Sequence, residues 1–466
     1  MDIGQDLLLK GYWWLPGSSS AKVYGELQCL RDGHVRLSLS GSLAGIAAVS
    51  QGGVSIPVIL GVSEDGRFLT LLENPLTHWT LRLPGIPEEQ YLTRFLLIGA
   101  HFQDPSALRF TAVTLRTLGI DEWIGITGFN VETDPKAKRC SVVFQKPERR
   151  EYTIDPERKL AVVFSCQIPL ASKPIRRVSI EQRASLQVVY SQAQPLHQLL
   201  ADVKKIGDLL TLGIGKPVAV TAVSLSVARD EGAEDEDACD KRRAIELYYQ
   251  SLPGPQDRFE VYSSEMTFAW KDIEPECGTI LAKWFDLYDQ IAPALNWYFA
   301  IQYRTDLYLE SQFLAMVQSL EALHRRLFPN DVESQDQHRQ RVERILHALE
   351  EPDRSWLEPR LQYANEPTLR QRLEQLIQPS QALFKSGRQK QSFINSIVAT
   401  RNYLTHYDQG LRKSSLEGPS MYEAVEKLRL LFTIQILCLL GFEHQQALDM
   451  IGRNPRWKGW LEKGTG

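Results

Sequence analysis

The sequence predicts an α+β multidomain chain: a β-rich, sandwich-like or barrel-like domain over residues 1–268, then an all-α helical bundle over 269–466. Three observations carry this. Apolar residues alternate with period two in the first half, they recur at helical spacing in the second, and Pro and Gly punctuate the runs in both.

The strand signal is plainest in Val35-Arg36-Leu37-Ser38-Leu39-Ser40 and in Phe110-Thr111-Ala112-Val113-Thr114-Leu115. Turns are marked by Leu15-Pro16-Gly17, Gly52-Gly53 and Leu83-Pro84-Gly85. One helix interrupts the strands, around Pro195 to Leu210. In the second half Phe313, Met316, Val317, Leu320, Leu323 and Leu327 share one helical face. Helices are expected over 278–302, 305–328, 335–350, 366–378, 389–408 and 418–441, with Pro329, Pro352, Pro367 and Pro379 between or at the ends of them. The longest apolar run, Leu430 to Phe442, is interrupted by Thr433 and Gln435 and is too short for a bilayer. It reads as a buried core helix.

Composition bounds the function. The hydrophobic fraction is 43% and the formal net charge is -4, so the chain folds but is no bulk polyanion binder. Any nucleic-acid contact must therefore be a local patch or a brief encounter. Cys29, Cys140, Cys166, Cys239, Cys277 and Cys438 are too scattered for a zinc knuckle, and read as the reduced cysteines of a cytoplasmic protein. The acidic start lacks the apolar segment of a signal peptide. The run Asp230 to Asp237 reads as a solvated loop tip, with an inhibitory or partner role as the alternative.

The chemistry points to Arg401-Asn402-Tyr403-Leu404-Thr405-His406, late in its helix. With four to six residues allowed between them, an Arg followed by His also occurs at Arg94–His101 and Arg341–His347. Spacing alone therefore discriminates nothing. The first rival lies in a strand-like run with Phe95 after its arginine, and the second has Val342 there. The chosen set has Asn402, and Asn395, Ala399, Asn402 and His406 form a small polar stripe. Phe393, Ile397 and Leu404 are expected to face the core. Arg401 and His406 sit about 140° apart on the cylinder, a gap that a second copy of the helix would help to close. Cleavage of RNA by its own 2′-hydroxyl needs proton transfer and neutralisation of growing charge. Histidine supplies the first and arginine the second, with Asn402 holding either in place. No cofactor and no metal is expected.

These residues, after the helix that begins Leu307-Tyr308-Leu309-Glu310 and runs to His324, resemble a HEPN domain. With Leu97-Ile98-Gly99-Ala100-His101-Phe102, Phe110 to Val113 and Ile120-Asp121-Glu122-Trp123, the whole chain resembles the ApeA-like family of prokaryotic defence proteins. The resemblance implies a β-rich N-terminal domain, a C-terminal HEPN ribonuclease, Arg401 and His406 as catalytic residues and Asn402 as their support. It further implies a homodimer that cleaves RNA, tRNA being a candidate, once a phage-derived trigger is met, and no membrane. The competing reading is a non-catalytic RNA- or nucleotide-binding protein or a dimerisation scaffold.

Lesser features are weighed with it. Glu321 could meet Arg401 or be a helix-flank charge. Gly213-Ile214-Gly215-Lys216 lacks the spacing and hydroxyl of a P-loop. Tyr12-Trp13-Trp14 could be a ligand platform, but reads rather as a core cluster at a strand edge. Lys385, Arg388, Lys390, Arg412 and Lys413 could track a phosphate backbone or form a solvated face. Arg453, Arg456, Trp457, Lys458 and Trp460 could bind RNA or pack on the bundle.

Overall fold

The computed structural model describes residues 6–45, 53–81, 84–169, 178–227, 244–251, 254, 259–304 and 306–459. The acidic run Asp230 to Asp237, Cys239 and Trp460 lie outside them. The chain divides into two compact units, Met1–Ala282 and Lys283–Gly466.

In the first unit, β1 (Leu7–Trp14), β2 (Val23–Cys29), β3 (Val35–Ser40), β4 (Ser55–Ser63), β5 (Phe68–Thr80) and β6 (Glu88–Thr93) are joined in the order β5-β4-β1-β2-β3-β6. β5 also bonds to β6, so these six strands close into an antiparallel barrel. Closure depends on Glu73. It adopts a left-handed φ of 55° between the part of β5 that pairs with β7 (Phe95–Ile98) and the part that pairs with β6. The sheet continues through β7 to β15 (Ile245–Tyr249), β14 (Val220–Ser226), β8 (Arg109–Thr117), β13 (Glu181–Pro195), β12 (Arg158–Gln167) and β11 (Arg150–Thr153). Strands β9 (Phe129–Asp134) and β10 (Arg139–Phe144) form a separate hairpin. The β-rich expectation thus takes the form of a barrel extended by an open sheet.

Alternating burial produces the core. Val35, Leu37 and Leu39 of β3 are buried while Arg36 and Ser40 are exposed. Trp13 is wholly buried, and a Cβ at Gly61 would fall 2.3 Å from its ring, so the Tyr12-Trp13-Trp14 cluster is packing at its centre. Tyr12 alone is exposed.

Two helices of this unit are α1 (Ile120–Ile124) and α2 (Leu196–Ile214), the latter longer at its C-terminal end than expected. Trp123 of α1 donates from Nε1 to the carbonyl of Phe268 at 2.9 Å. Thr267 N–H donates to the carbonyl of Gly213 at 2.8 Å. Trp270, in the short α3 (Trp270–Ile273), meets Trp123 and Tyr152 edge-on. These contacts carry the first unit past residue 268, where the periodicity changes, to Ala282. They also explain the glycine-lysine motif. A Cβ at Gly213 would lie 2.6 Å from Trp123 Nε1, and Lys216 is held by Glu265 at 2.5 Å.

The expected helix 278–302 is broken into α4 (Cys277–Gln290) and α5 (Ala292–Tyr303), with Pro293 opening the second where its missing N–H costs nothing. The second unit continues with α6 (Leu309–Leu327), α7 (Gln335–His347), α8 (Asp353–Leu361), α9 (Leu369–Ile377), α10 (Gly387–His406), α11 (Gly418–Leu440) and α12 (His444–Gly452). The run from Leu430 to Leu437 is buried throughout within α11, as expected of a core helix. Phe432 stacks on Tyr298 of α5 at 4.5 Å. Gln435 Nε2 donates to the carbonyl of Leu376, tying α11 to α9. Among the described residues no helix is long and apolar enough to cross a membrane.

Candidate active site

α10 carries the motif. Ser386 caps its start by accepting from Gln389 N–H. Ile394, Ile397 and Thr400 are its buried residues, whereas Phe393 and Leu404 are half-buried. The core face is therefore narrower than expected. Asn395 and His406 are exposed and Ala399 and Asn402 half-buried, as suits a stripe that borders solvent.

Arg401 donates from Nη1 to Asn402 Oδ1 at 3.1 Å. Among the described residues it has no carboxylate partner. Its side chain is half-buried, so a fixed cation stands uncompensated beside an amide that holds it. Glu321 does not meet it. Glu321 faces Arg325 at 3.6 Å on its own helix. His406 ends the helix with no hydrogen-bond partner among the described residues. Directly after it, Tyr407 takes φ 54° and donates its N–H to the Tyr403 carbonyl at 2.6 Å. A bulky side chain in the left-handed region is costly, of order 1–3 kcal/mol, and such strain collects at functional sites. It stops the helix at His406 and leaves the imidazole in solvent.

Sequence reasoning missed Thr400. It is buried, donates from Oγ1 to the Ser396 carbonyl at 2.7 Å, and accepts the Leu416 N–H at 2.8 Å. It thereby pins the segment after the motif back onto α10. Arg412 and Lys413 on that segment are exposed, as are Lys385 and Arg388 upstream. Of the C-terminal basic and aromatic residues, Arg456 and Trp457 are engaged in packing, while Arg453 and Lys458 are exposed. Arg456 binds buried Glu426 through two bonds of 2.8 Å, and Trp457 is buried.

The rival His/Arg pairs have other occupations. Arg94 is paired to Glu73 at 2.9 Å, and His101 bonds the Gly61 carbonyl at 2.7 Å. Arg341 is paired to Glu333 at 2.8 Å. A further pair, 48 residues apart in the chain and so marked by no local spacing, lies in the core: His324 and Arg372, whose Nη1 donates to His324 Nδ1 at 2.9 Å. Among the described residues no three His, Cys, Asp or Glu side chains could together hold a metal ion.

A β-barrel-and-sheet unit followed by a helical bundle, with an Arg-Asn pair and a histidine closing one exposed helix, defines a two-part protein with a HEPN-type module. Residues 9–284 match the family described as ApeA N-terminal domain 1, and residues 314–446 match Apea-like HEPN. The chain belongs to the ApeA-like family, a family of anti-phage defence whose HEPN domain is of the nuclease kind. No curated protein and no solved structure matches the chain. The motif helix lies wholly inside the HEPN match.

Proposed function

We propose that this protein is an anti-phage endoribonuclease that cleaves RNA without a metal through Arg401 and His406, with Asn402 in support. The observation that carries the reading is the pairing of Arg401 with a neutral amide. A guanidinium held by Asn402, with no carboxylate partner among the described residues, has its charge available to a phosphate. His406, in solvent at the helix end, is open to act on the 2′-hydroxyl or the leaving oxygen. The five-residue step separates the two by about 140°, so the active form is a homodimer in which two motif helices complete one cleft. The β-rich N-terminal region senses a phage-derived trigger and restrains the nuclease until then, in the cytoplasm.

The test is to incubate purified full-length protein with total RNA in EDTA and sequence the new ends. The expected products end in 2′,3′-cyclic phosphate, and folded His406→Ala protein makes none. Strict dependence on Mg²⁺, 5′-phosphate products, or cleavage by His406→Ala would each sink the assignment. A scaffold would cleave nothing in any arm.

A further inference from the structure

Two asparagines on α10 do the same thing. Asn402 Oδ1 accepts from Arg401, and Asn395 Oδ1 accepts from Arg370 Nη1, an arginine of α9. Gln391, one turn further back on α10, donates to the same Asn395 oxygen at 3.3 Å. Residues 395 and 402 are seven apart, which places them about 20° from one another on the cylinder and about 10.5 Å apart along it. Each asparagine thus fixes one guanidinium along a single face of the motif helix.

The choice of partner is informative. Several arginines of this unit answer carboxylates: Arg325 pairs with Glu366 at 2.7 Å, Arg341 with Glu333 at 2.8 Å, and Arg456 with Glu426 at 2.8 Å, while Arg354 and Arg360 donate to backbone carbonyls. Arg370 and Arg401 have no carboxylate partner among the described residues, and both are half-buried. A neutral amide orients a guanidinium without neutralising it. An orientated, uncompensated, planar donor set suits a phosphate. Two of them in a row on one face suit successive phosphates of one strand.

We infer that Arg370, held by Asn395, binds a backbone phosphate of single-stranded RNA next to the one engaged by Arg401, extending the site along α10 toward its N-terminal end. This rests on the ribonuclease reading for the identity of the strand. Arg370 touches a phosphate that does not react, so it serves strand binding and register, and its loss raises KM more than it lowers kcat.

The experiment uses full-length protein carrying His406→Ala, so that RNA stays intact, and a labelled unstructured oligouridylate. Affinity is measured by anisotropy from 50 to 200 mM salt, and each phosphate contact on a single strand contributes about 0.7 to the slope of log K against log salt. Arg370→Ala is expected to lower that slope by about 0.7, and Arg370→Lys to restore most of it. Asn395→Asp keeps the arginine but gives it a carboxylate, and is expected to lower the slope likewise, so the inference does not hang on one variant folding. An unchanged slope in both Arg370→Ala and Asn395→Asp, or no binding of the oligonucleotide by the parent, overturns the inference. Cleavage by otherwise wild-type protein is scored separately. A slope change in a protein that cleaves no RNA keeps the phosphate contact and removes the catalytic reading. Cleavage with an unchanged slope does the reverse.

Discussion

The helical unit holds two histidine–arginine constellations, and they could hardly differ more. His324 on α6 and Arg372 on α9 are buried at 0% and 1% exposure. Arg372 donates to His324 Nδ1, so the proton sits on Nε2, which donates to Gln375 Oε1. The imidazole stacks on Phe328 at 4.6 Å, and Arg372 also reaches Asn330 and Glu366. Every partner is protein. Among the described residues the side chains of His406 and Arg401 have one hydrogen bond between them, that of Arg401 to Asn402. The lesson is that residue type does not confer chemistry. The buried histidine and arginine bond each other and join helices, though Arg372 Nε and Nη2 keep no hydrogen-bond partner there, whereas the surface pair is the one within reach of a ligand from solvent.

That contrast can be broken by substitution. His406→Ala and Arg401→Ala are each expected to lower RNA cleavage by at least ~10²-fold, the usual loss of a proton-transfer group or a charge-stabilising donor. Their unfolding midpoints should stay at the parent value, because neither side chain packs in the core. A loss of activity matched by a loss of fold, seen by circular dichroism, would erase the distinction.

The converse holds for the buried pair. His324→Ala takes one acceptor from a buried guanidinium that keeps Asn330, and is expected to cost about 1–3 kcal/mol, read as a lower urea midpoint or as insoluble protein. Replacing both at once, His324→Leu with Arg372→Met, is expected to cost less than His324→Ala alone, because that buried charge is then gone. A double variant less stable than the single one would show that the pair contributes more than mutual satisfaction.

Acid sharpens the comparison further. Burial, and then the neighbouring Arg372 cation, hold the His324 imidazole below its ordinary value, against the Gln375 hydrogen bond. The folded state thus binds that proton more weakly than the unfolded chain does. Stability is whole above the unfolded value of about 6.5 and is lost as pH falls through the lower folded value, by at most about 1.4 kcal/mol per pH unit. The unfolding midpoint of full-length protein should fall from above pH 7 to about pH 5.5, and His324→Gln should flatten that fall. An equally steep fall in His324→Gln would assign the acid sensitivity to other groups.

The smallest expected effect concerns Thr400. Thr400→Val removes the acceptor for Leu416 N–H and should cost about 1 kcal/mol, with cleavage lowered by less than tenfold. A loss as deep as that of His406→Ala would move Thr400 from support of the following segment into the chemistry.

Much of this was legible in the sequence, because it rests on local regularities. Alternation along β3 and helical spacing along α6 follow from the two backbone periods, and a chain of this length must bury such faces. The motif helix, its stripe and its three candidate site residues are near neighbours in the chain, so their relation is set by helix geometry alone. Other elements were not visible. α8 has no buried residue and carries Pro359 inside it, so no apolar period announces it. α12 is a helix of only nine residues after Gly441, too short for its apolar spacing to stand out. The closing of the barrel through β5 and β6 depends on one left-handed residue, Glu73, that no propensity marks.

By itself the sequence determined the two-part organisation and the helix that bears Arg401, Asn402 and His406, since both arise from residues within a few turns or strands of each other. The tertiary structure alone decided which histidine and which arginine are occupied. Arg372 reaches His324 across 48 residues of chain, Arg370 reaches Asn395 across 25, and Leu416 reaches Thr400 across 16. Whether a cation is neutralised, held or left free is a matter of what the fold brings beside it, and burial sets how strongly that partner is felt.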